Sequence, residues 1–222
     1  MFHVEHHGDL IASVVSKHAA DLRLKLSSRQ LELISAYADE LVVWNRKMNL
    51  TSISPPVDFA IKHFLDSLYG MQLICRQGQT NIQTNMLDIG AGAGFPGIPL
   101  KIADPDLELY LLERNKKKAS FLSNIIGKLR LPGAHVIAST AKELVSKRPS
   151  SQFMNIVVRA VNITEIFGEL PLLLRSVGRA ILYRSRPILP SDIPHSLRIR
   201  DIINYELPLG FGKRSLVVVE RN

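Results

Sequence analysis

The stretch NMLDIGAGAGFPGIPL, residues 85–100, decides how the rest of the chain is interpreted, because it places four glycines directly after a short apolar run. A turn between a strand and a helix is where parallel sheets hold their ligands, and glycine lets a ligand approach the backbone closely. Residues 88–94, DIGAGAG, fit the loop that holds S-adenosylmethionine. Residues 92–97, GAGFPG, fit the dinucleotide fingerprint G-x-G-x-x-G, and a purely structural turn is the third interpretation.

Two side chains around the glycines favour the methyl donor over a dinucleotide. Asp88 is expected in the loop, where its carboxylate suits the cationic groups of S-adenosylmethionine and repels a pyrophosphate. Phe95 is bulky at a point where a dinucleotide loop keeps the helix N-terminus open to phosphate. Glu113, about 20 residues after the loop, would accept hydrogen bonds from the ribose hydroxyls of either ligand. A nicotinamide-dependent oxidoreductase therefore stays open as the alternative enzyme.

The sequence from residue 85 onward alternates short β-rich runs with helical segments. This alternation is typical of parallel strands joined by right-handed crossovers. Two further β-rich runs, RIRDIINYELPL and RSLVVVER, follow with no room for a helix between them and predict an antiparallel hairpin at one edge. We expect an α/β fold with a mostly parallel seven-stranded sheet. Its first five strands are NMLDI, LELYLLE, AHVIA, FMNIVV and RAILYR, with helices around 97–103, 116–130, 140–147 and 163–175.

The region before the glycines has a different pattern, with apolar residues at helical spacing between residues 9 and 70. A capping box formed by Ser27 and Gln30 predicts the start of a second helix, and the pair Pro55-Pro56 the start of a third. The polar stretch RQGQTNIQTN then precedes the first strand. We divide the chain into an N-terminal helical extension, residues 1–80, and a Rossmann-like domain, residues 81–222.

The charge balance favours a polyanionic partner such as nucleic acid. The chain has 28 lysines and arginines against 20 acidic residues, a formal net charge of +8. Cys75 is the only cysteine, so an intrachain disulfide is excluded and a reducing compartment is the simpler assumption. No apolar run approaches the ~18 residues that a membrane span needs. We expect a cytoplasmic monomer with no membrane partner. Besides the oxidoreductase, a non-catalytic RNA-binding module is the second alternative to a methyltransferase.

Six motifs stand out along the chain: WNRKMNLTSI at 44–53, KHFLDSL at 62–68, LDIGAGAGFPGIPL at 87–100, LLERNKKKASFL at 111–122, VVRAV at 157–161 and KRSLVVVE at 213–220. Together they are far more specific than the glycines alone. By these motifs the sequence resembles the RsmG (GidB) family of bacterial 16S ribosomal RNA methyltransferases, and the resemblance covers nearly the whole chain after residue 25.

The resemblance implies a class I S-adenosylmethionine-dependent methyltransferase that methylates N7 of one guanosine in the decoding-region loop of 16S rRNA. Glu113, Arg114 and Asn115 would meet the ribose and adenosine, and Ala141 and Lys142 the adenine edge. Gly90 and Phe95 would line the donor pocket, and Arg159 would lie beside donor and target base. With the loop residues considered above, the candidate donor site comprises Asp88, Gly90, Gly92, Gly94, Phe95, Glu113, Arg114, Asn115, Ala141, Lys142 and Arg159.

The chemistry of this reaction makes few demands on the protein. Guanine N7 carries an in-plane lone pair, so no general base is needed, and proximity with electrostatics could provide the catalysis. Arg159 ends the fourth predicted strand, where its guanidinium could hold a phosphate or a base edge and is the candidate catalytic residue. A salt bridge to a nearby acid is the alternative role of this arginine.

Candidate RNA-contacting residues come from three places in the chain. His63 and Asp66, spaced i and i+3 on the third helix, are expected to face the mouth of the active site, with a solvated pair as the alternative. Three lysines at the start of a helix oppose its dipole and so indicate a partner, with a solvated basic face as the alternative. The full set is His63, Asp66, Lys116, Lys117, Lys118, Arg184 and Arg214. His3, His6 and His7 have no Cys or acidic partner at ligand spacing, and we predict no metal site.

Overall fold

The protein contains a seven-stranded sheet in the order β3-β2-β1-β4-β5-β7-β6. The computed structural model describes residues 7–51, 55–74, 84–150 and 152–222. Strands β1 to β5 run parallel, and β7 pairs antiparallel with both β5 and β6. The predicted doubly wound sheet with an antiparallel edge hairpin is therefore confirmed. The strands are β1 (Asn85–Ile89), β2 (Glu108–Leu112), β3 (Ala134–Ile137), β4 (Phe153–Arg159), β5 (Leu174–Arg184), β6 (Leu197–Glu206) and β7 (Lys213–Arg221).

Helices cover both faces of this sheet. Three of the four helices predicted between the strands are present, but the one expected over 163–175 is only a 3₁₀ turn (Ile163–Glu165) and a single helical turn. Pro171 lacks an N–H and is tolerated only in a first helical turn, so a continuous helix cannot pass through it. The helices in this part of the chain are α5 (Gly97–Ala103), α6 (Lys116–Leu129), α7 (Ala141–Lys147) and α8 (Leu170–Leu173).

The N-terminal helices pack on one face of the sheet. They are α1 (His7–Ala19), α2 (Ser28–Met48) and a continuous helical run from Pro56 to Leu73. That run comprises α3 (Pro56–Phe59), a π-helical stretch (Ala60–Leu65), α4 (Asp66–Leu68) and a 3₁₀ stretch (Tyr69–Leu73). The predicted capping box at Ser27 and the helix start at the proline pair are both confirmed. The proposed domain boundary after residue 80 lies outside the described residues.

One hydrophobic core joins the helical extension to the sheet. Successive residues of a strand face opposite sides, so Met86 of β1 contacts the helices on one face while Leu87 and Ile89 serve the other. Phe64 and Leu65 of the π-helical stretch are fully buried in the same core as Met86. Tyr183 of β5 also donates a hydrogen bond of 2.7 Å to the backbone oxygen of Ser67. The extension is thus held by both apolar burial and hydrogen bonds.

A buried carboxylate ties the end of β1 to the start of α5. Asp88 belongs to the strand and is 1% exposed, so the prediction that it lies in the glycine loop is wrong. Its Oδ2 accepts a hydrogen bond of 2.8 Å from the backbone N–H of Gly97, whereas Oδ1 has no partner within the described part of the chain. Burial raises the pKa of Asp88 to about 7, although the Gly97 bond and the charge of Arg159 oppose this rise.

The raised pKa of Asp88 predicts a pH-dependent effect of Asp88→Asn. A carboxyl group whose pKa is higher in the folded state than in the unfolded state lowers the free energy of unfolding at pH values where the group ionises. This loss of stability is absent below the ordinary pKa of 3.8 and complete above about 7. The asparagine oxygen can still accept from Gly97 but cannot ionise. As the pH rises through this window, we therefore expect the free energy of unfolding of Asp88→Asn to increase relative to that of the wild type.

Urea unfolding at several pH values across the window measures this difference. Asp106→Asn, which removes an exposed carboxylate, is the matched control. A difference between Asp88→Asn and the wild type that stays constant throughout the window would contradict the prediction.

Candidate active site

A cleft of about 570 Å³ lies beside the glycine loop and is called the glycine-loop cleft below. Of the predicted donor-site residues, it brings together Gly90, Glu113, Arg114, Ala141 and Lys142. The turn after β4 and the start of α7 contribute lining residues that the sequence reasoning missed. No sequence motif identifies these residues as part of a site; only the fold brings them together. They include Ser139, Thr140, Ala160, Val161, Asn162, Glu165 and Glu169.

The backbone at Gly90 forms the inner corner of the glycine-loop cleft. Its N–H donates to the backbone oxygen of Leu112 at 2.8 Å, and its φ is +74°. A Cβ at this position would clash with Cγ2 of Val161. Both the backbone angle and the neighbouring turn therefore demand glycine here.

Glu113 lies at the end of β2 and is buried along one wall of the glycine-loop cleft. Its Oε2 accepts from the backbone N–H of Gly92 at 2.9 Å, and its Oε1 accepts from the backbone N–H of Asn115 at 2.7 Å. Each carboxylate oxygen has a second lone pair, so hydrogen bonds to a diol remain available. The two backbone bonds fix the orientation of the carboxylate in advance.

Asn115 contributes to the site only indirectly. Its side-chain oxygen accepts from the backbone N–H groups of Lys117 and Lys118, at 3.0 and 3.3 Å, and so caps helix α6. Asn115 does not line the glycine-loop cleft, and neither do Gly92 and Gly94. These glycines have positive φ and shape the loop instead.

Phe95 packs into an aromatic cluster on the helical face of the sheet and does not line the glycine-loop cleft, contrary to the prediction. Its ring centroid lies 5.0 Å from that of His63, 5.3 Å from Phe64, 5.4 Å from Tyr37 and 5.9 Å from Phe59. The contacts with Phe59 and Phe64 are edge-to-face, and together the four contacts hold the ring more firmly than a cleft open to water would. The ring of Phe95 therefore joins the glycine loop to the N-terminal helices.

A second cleft, of about 310 Å³, adjoins the first and is called the basic cleft below. Ala160, directly after β4 and with a φ of +57°, lines both clefts. Five cationic side chains and one carboxylate surround the basic cleft, which suits a ligand that carries phosphate. Its lining comprises Lys62, Asp66, Arg159, Ala160, Tyr183, Arg184, Ser185, Arg186 and Arg214.

The guanidinium of Arg159 is held almost entirely by the helical run. Its Nε faces Oδ2 of Asp66 at 3.4 Å. Nη1 donates to the His63 oxygen and to Oγ of Ser67, both at 3.3 Å, while Nη2 donates to the Lys62 oxygen at 2.6 Å and to Nδ1 of His63 at 3.2 Å. Both Nη atoms thus donate hydrogen bonds to protein acceptors, and Nε forms an ion pair with Asp66. The alternative role for this arginine, a salt bridge to a nearby acid, is present in the structure.

His63 and Asp66 are both largely buried, so the solvated pair considered as an alternative is wrong. Burial, with the charges of Arg159 and Lys62, lowers the pKa of His63 to about 3. The imidazole is therefore neutral, and its Nδ1 can accept the hydrogen bond from Arg159. Asp66 lines the basic cleft, whereas His63 packs against Phe95 and does not.

The remaining basic residues lie at the surface around the two clefts. Lys116 and Lys117 are exposed at the start of α6, and Lys118 lines the glycine-loop cleft. Arg184 and Arg214 both line the basic cleft. Lys62 was missed, although it stands beside His63 in the motif KHFLDSL. Its Nζ pairs with Asp58 at 2.9 Å.

Metal-binding clusters and membrane-spanning helices are both absent from the described part of the chain. Within residues 7–51, 55–74, 84–150 and 152–222, no group of three or more His, Cys, Asp or Glu side chains could hold a metal ion. His3 and His6 lie outside these ranges, as does Cys75. Over the same ranges, the helices are too short or too polar to cross a membrane.

Curated proteins similar to this chain share one description, ribosomal RNA small subunit methyltransferase G. The protein from Pelotomaculum thermopropionicum is 32% identical, and the alignment covers 96% of this chain and 91% of that protein. The protein from Geobacter sp. strain M21 is 34% identical over 94% of this chain and 97% of that protein. A protein from Dehalococcoides mccartyi is 35% identical over 90% of this chain and 87% of that protein.

Solved structures and a family model agree with these similarities. A methyltransferase from Aquifex aeolicus described as SAM-dependent superposes with a TM-score of 0.53 at 14% identity, covering 72% of this chain and 92% of that one. A mutant of MtNAS in complex with S-adenosylmethionine gives 0.57 at 16% identity, covering 100% and 99%. Both show the fold. The model of the GidB family, rRNA small subunit methyltransferase G, matches residues 30–188, and this chain therefore belongs to that family.

Proposed function

We propose that this protein transfers a methyl group from S-adenosylmethionine to N7 of a guanosine in the decoding-region loop of 16S rRNA. Membership of the rRNA small subunit methyltransferase G family is the observation that carries this function. The two clefts that meet at Ala160 support it, because one has a fixed carboxylate for a ribose and the other is cationic. The protein is an S-adenosylmethionine-dependent rRNA methyltransferase, and it acts on 16S rRNA.

The glycine-loop cleft fits the methyl donor. Glu113 would accept hydrogen bonds from the ribose hydroxyls, since its two oxygens are already oriented by backbone N–H groups. Ala141 and Lys142, on the first turn of α7, would border the adenine. When bound, S-adenosylmethionine supplies a methyl group on a cationic sulfur. Asp88 would support this site by fixing the start of α5, because it does not line the cleft.

The basic cleft would hold the target nucleotide. Arg184, Arg186 and Arg214 would bind its flanking phosphates, and Lys62 completes the cationic wall. Guanine N7 attacks with its own lone pair and loses no proton, so the protein needs to provide only alignment and electrostatic stabilisation. Arg159 precedes Ala160 and lines the basic cleft but not the glycine-loop cleft, so it would contribute its positive charge beside the target nucleotide and fix the wall of the basic cleft.

The substrate has consequences for partners and location. We propose a cytoplasmic protein that works as a monomer on 16S rRNA, within the 30S subunit or an assembly intermediate. The positive surface that includes Lys116 and Lys117 would extend contacts beyond the target nucleotide.

Mass spectrometry of 16S rRNA tests the function directly. In a strain that lacks the gene, we expect unmethylated guanosine at one position of the decoding loop. Purified protein and methyl donor should restore 7-methylguanosine there. A normally methylated decoding loop in the deletion strain would exclude the proposed function. Calorimetry should detect S-adenosylhomocysteine and not NAD, whereas heat with NAD alone would favour the oxidoreductase.

The geometry of Gly90 predicts that Gly90→Ala weakens donor binding. An alanine is strained at this positive φ and its Cβ would clash with Val161, so the loop must shift at the wall of the cleft, and we expect the affinity for the donor to fall roughly tenfold, about 1.4 kcal/mol. Calorimetric titration with S-adenosylhomocysteine measures this change. Gly168→Ala is the matched control, because a Cβ there meets nothing within 4 Å. Equal affinities of the two variants would contradict the prediction.

The exposed lysines of α6 predict a salt-dependent effect on RNA binding. The plot of log affinity against log salt concentration has a negative slope. In the double variant Lys116→Gln/Lys117→Gln, each lost lysine–phosphate interaction should make this slope shallower by roughly 0.7–0.9. Binding to a 16S rRNA fragment at several salt concentrations measures the slope. Lys17→Gln/Lys25→Gln removes the same charge from two exposed positions outside α6, one in α1 and one in the segment before α2. An identical slope for both double variants would exclude a phosphate-binding role of the α6 pair.

A further inference from the structure

Tyr205 on the edge strand β6 reaches the active site through a single hydrogen bond. Its hydroxyl donates to Oδ1 of Asp66 at 2.6 Å. Its ring stacks on the ring of Tyr69, with centroids 4.0 Å apart and an interplanar angle of 23°. Tyr205 does not line the glycine-loop cleft or the basic cleft. Asp66 lines the basic cleft, so this hydrogen bond links Tyr205 to the site.

The two oxygens of Asp66 have different partners. Oδ1 accepts from Tyr205, and Oδ2 faces Nε of Arg159 at 3.4 Å. Asp66 is 4% exposed, so water cannot easily replace either partner. The terminal torsion of an aspartate is broad and needs a contact on each oxygen to be fixed. The hydroxyl of Tyr205 thus selects the orientation in which Asp66 meets Arg159.

We propose that Tyr205 is a positioning residue, which fixes the Asp66 carboxylate and thereby holds the Arg159 guanidinium at the wall of the basic cleft; the proposal rests on the proposed function. The chain of contacts joins the edge strand, the N-terminal helical run and the end of β4. A displaced charge beside the target nucleotide lowers the rate of transfer more than it weakens substrate binding, because alignment and electrostatic stabilisation act in the transition state.

The chemistry of the phenol fits this role. Burial, together with the negative charge of Asp66, raises the pKa of Tyr205. The hydroxyl therefore remains protonated and is a constant donor to the carboxylate. The ring itself needs no hydroxyl to stack on Tyr69, so Tyr205→Phe removes the donor and keeps the packing.

A matched pair of variants separates positioning from packing. Tyr205→Phe loses the hydrogen bond to Asp66, whereas Tyr69→Phe loses a hydroxyl from the same stacked pair, one that donates to the backbone oxygen of Glu206. We expect kcat for 30S methylation to fall about tenfold or more in Tyr205→Phe, with KM for both substrates within about twofold. Tyr69→Phe should retain wild-type kcat. Equal kcat values for the two variants, or a change confined to KM, would overturn the proposal.

A second measurement does not depend on methyl transfer. Protein labelled with ¹⁵N at arginine Nε gives one N–H signal for each arginine by NMR, and Arg159→Lys identifies the signal of Arg159. We expect hydrogen exchange at this Nε to accelerate at least about tenfold in Tyr205→Phe and to stay unchanged in Tyr69→Phe. Unchanged exchange in Tyr205→Phe would overturn the positioning role. If the wild type transfers no methyl group, the proposed function fails, and the exchange measurement still decides the role of Tyr205.

Discussion

The ion pair between Arg159 and Asp66 is the constraint on which the rest of the site depends. A buried guanidinium is tolerated only when its charge is paired and its N–H groups have acceptors. Asp66 supplies the charge, and backbone oxygens of the π-helical stretch supply two of the four remaining acceptors. Because Arg159 ends β4, this requirement fixes the helical run against the carboxyl edge of the sheet. Removal of either partner would leave an unpaired charge in the core.

This requirement explains why the N-terminal extension is part of the active site. A methyltransferase sheet with its glycine loop can form a donor cleft alone, but one wall of the basic cleft consists of Lys62 and Asp66 from the extension. Phe95 in the loop packs among Phe59, His63 and Phe64 of the same run. The donor loop and the target cleft are therefore positioned by one set of helices. Disturbance of that packing should affect both substrates.

The fold was predictable from the sequence as far as the mostly parallel sheet and its antiparallel edge hairpin, because periodicity and the position of prolines report local structure directly. The place of Gly90 and Glu113 was also predictable, since residues after parallel strands converge at one edge of the sheet, whereas Ala141 was expected only from the family resemblance. The partners of Arg159 were not. Asp66 lies 93 positions before it, and no local pattern reveals that a helix will pass over that strand end. The contact of Tyr205 with Asp66 bridges a still longer separation, 139 residues.

Asp88 and Phe95 favoured a sulfonium over a pyrophosphate on the assumption that both side chains face the ligand. Neither lines the glycine-loop cleft, because Asp88 is buried beneath the loop and Phe95 packs among the helices. The choice of donor therefore cannot follow from their charge or bulk. Both side chains instead make the loop rigid. Asp88 accepts a hydrogen bond from the start of α5, and Phe95 packs the loop against the helical extension. A loop held from below by a carboxylate and from the side by an aromatic ring keeps Gly90 and Glu113 in place before any ligand arrives, which lowers the entropic cost of binding.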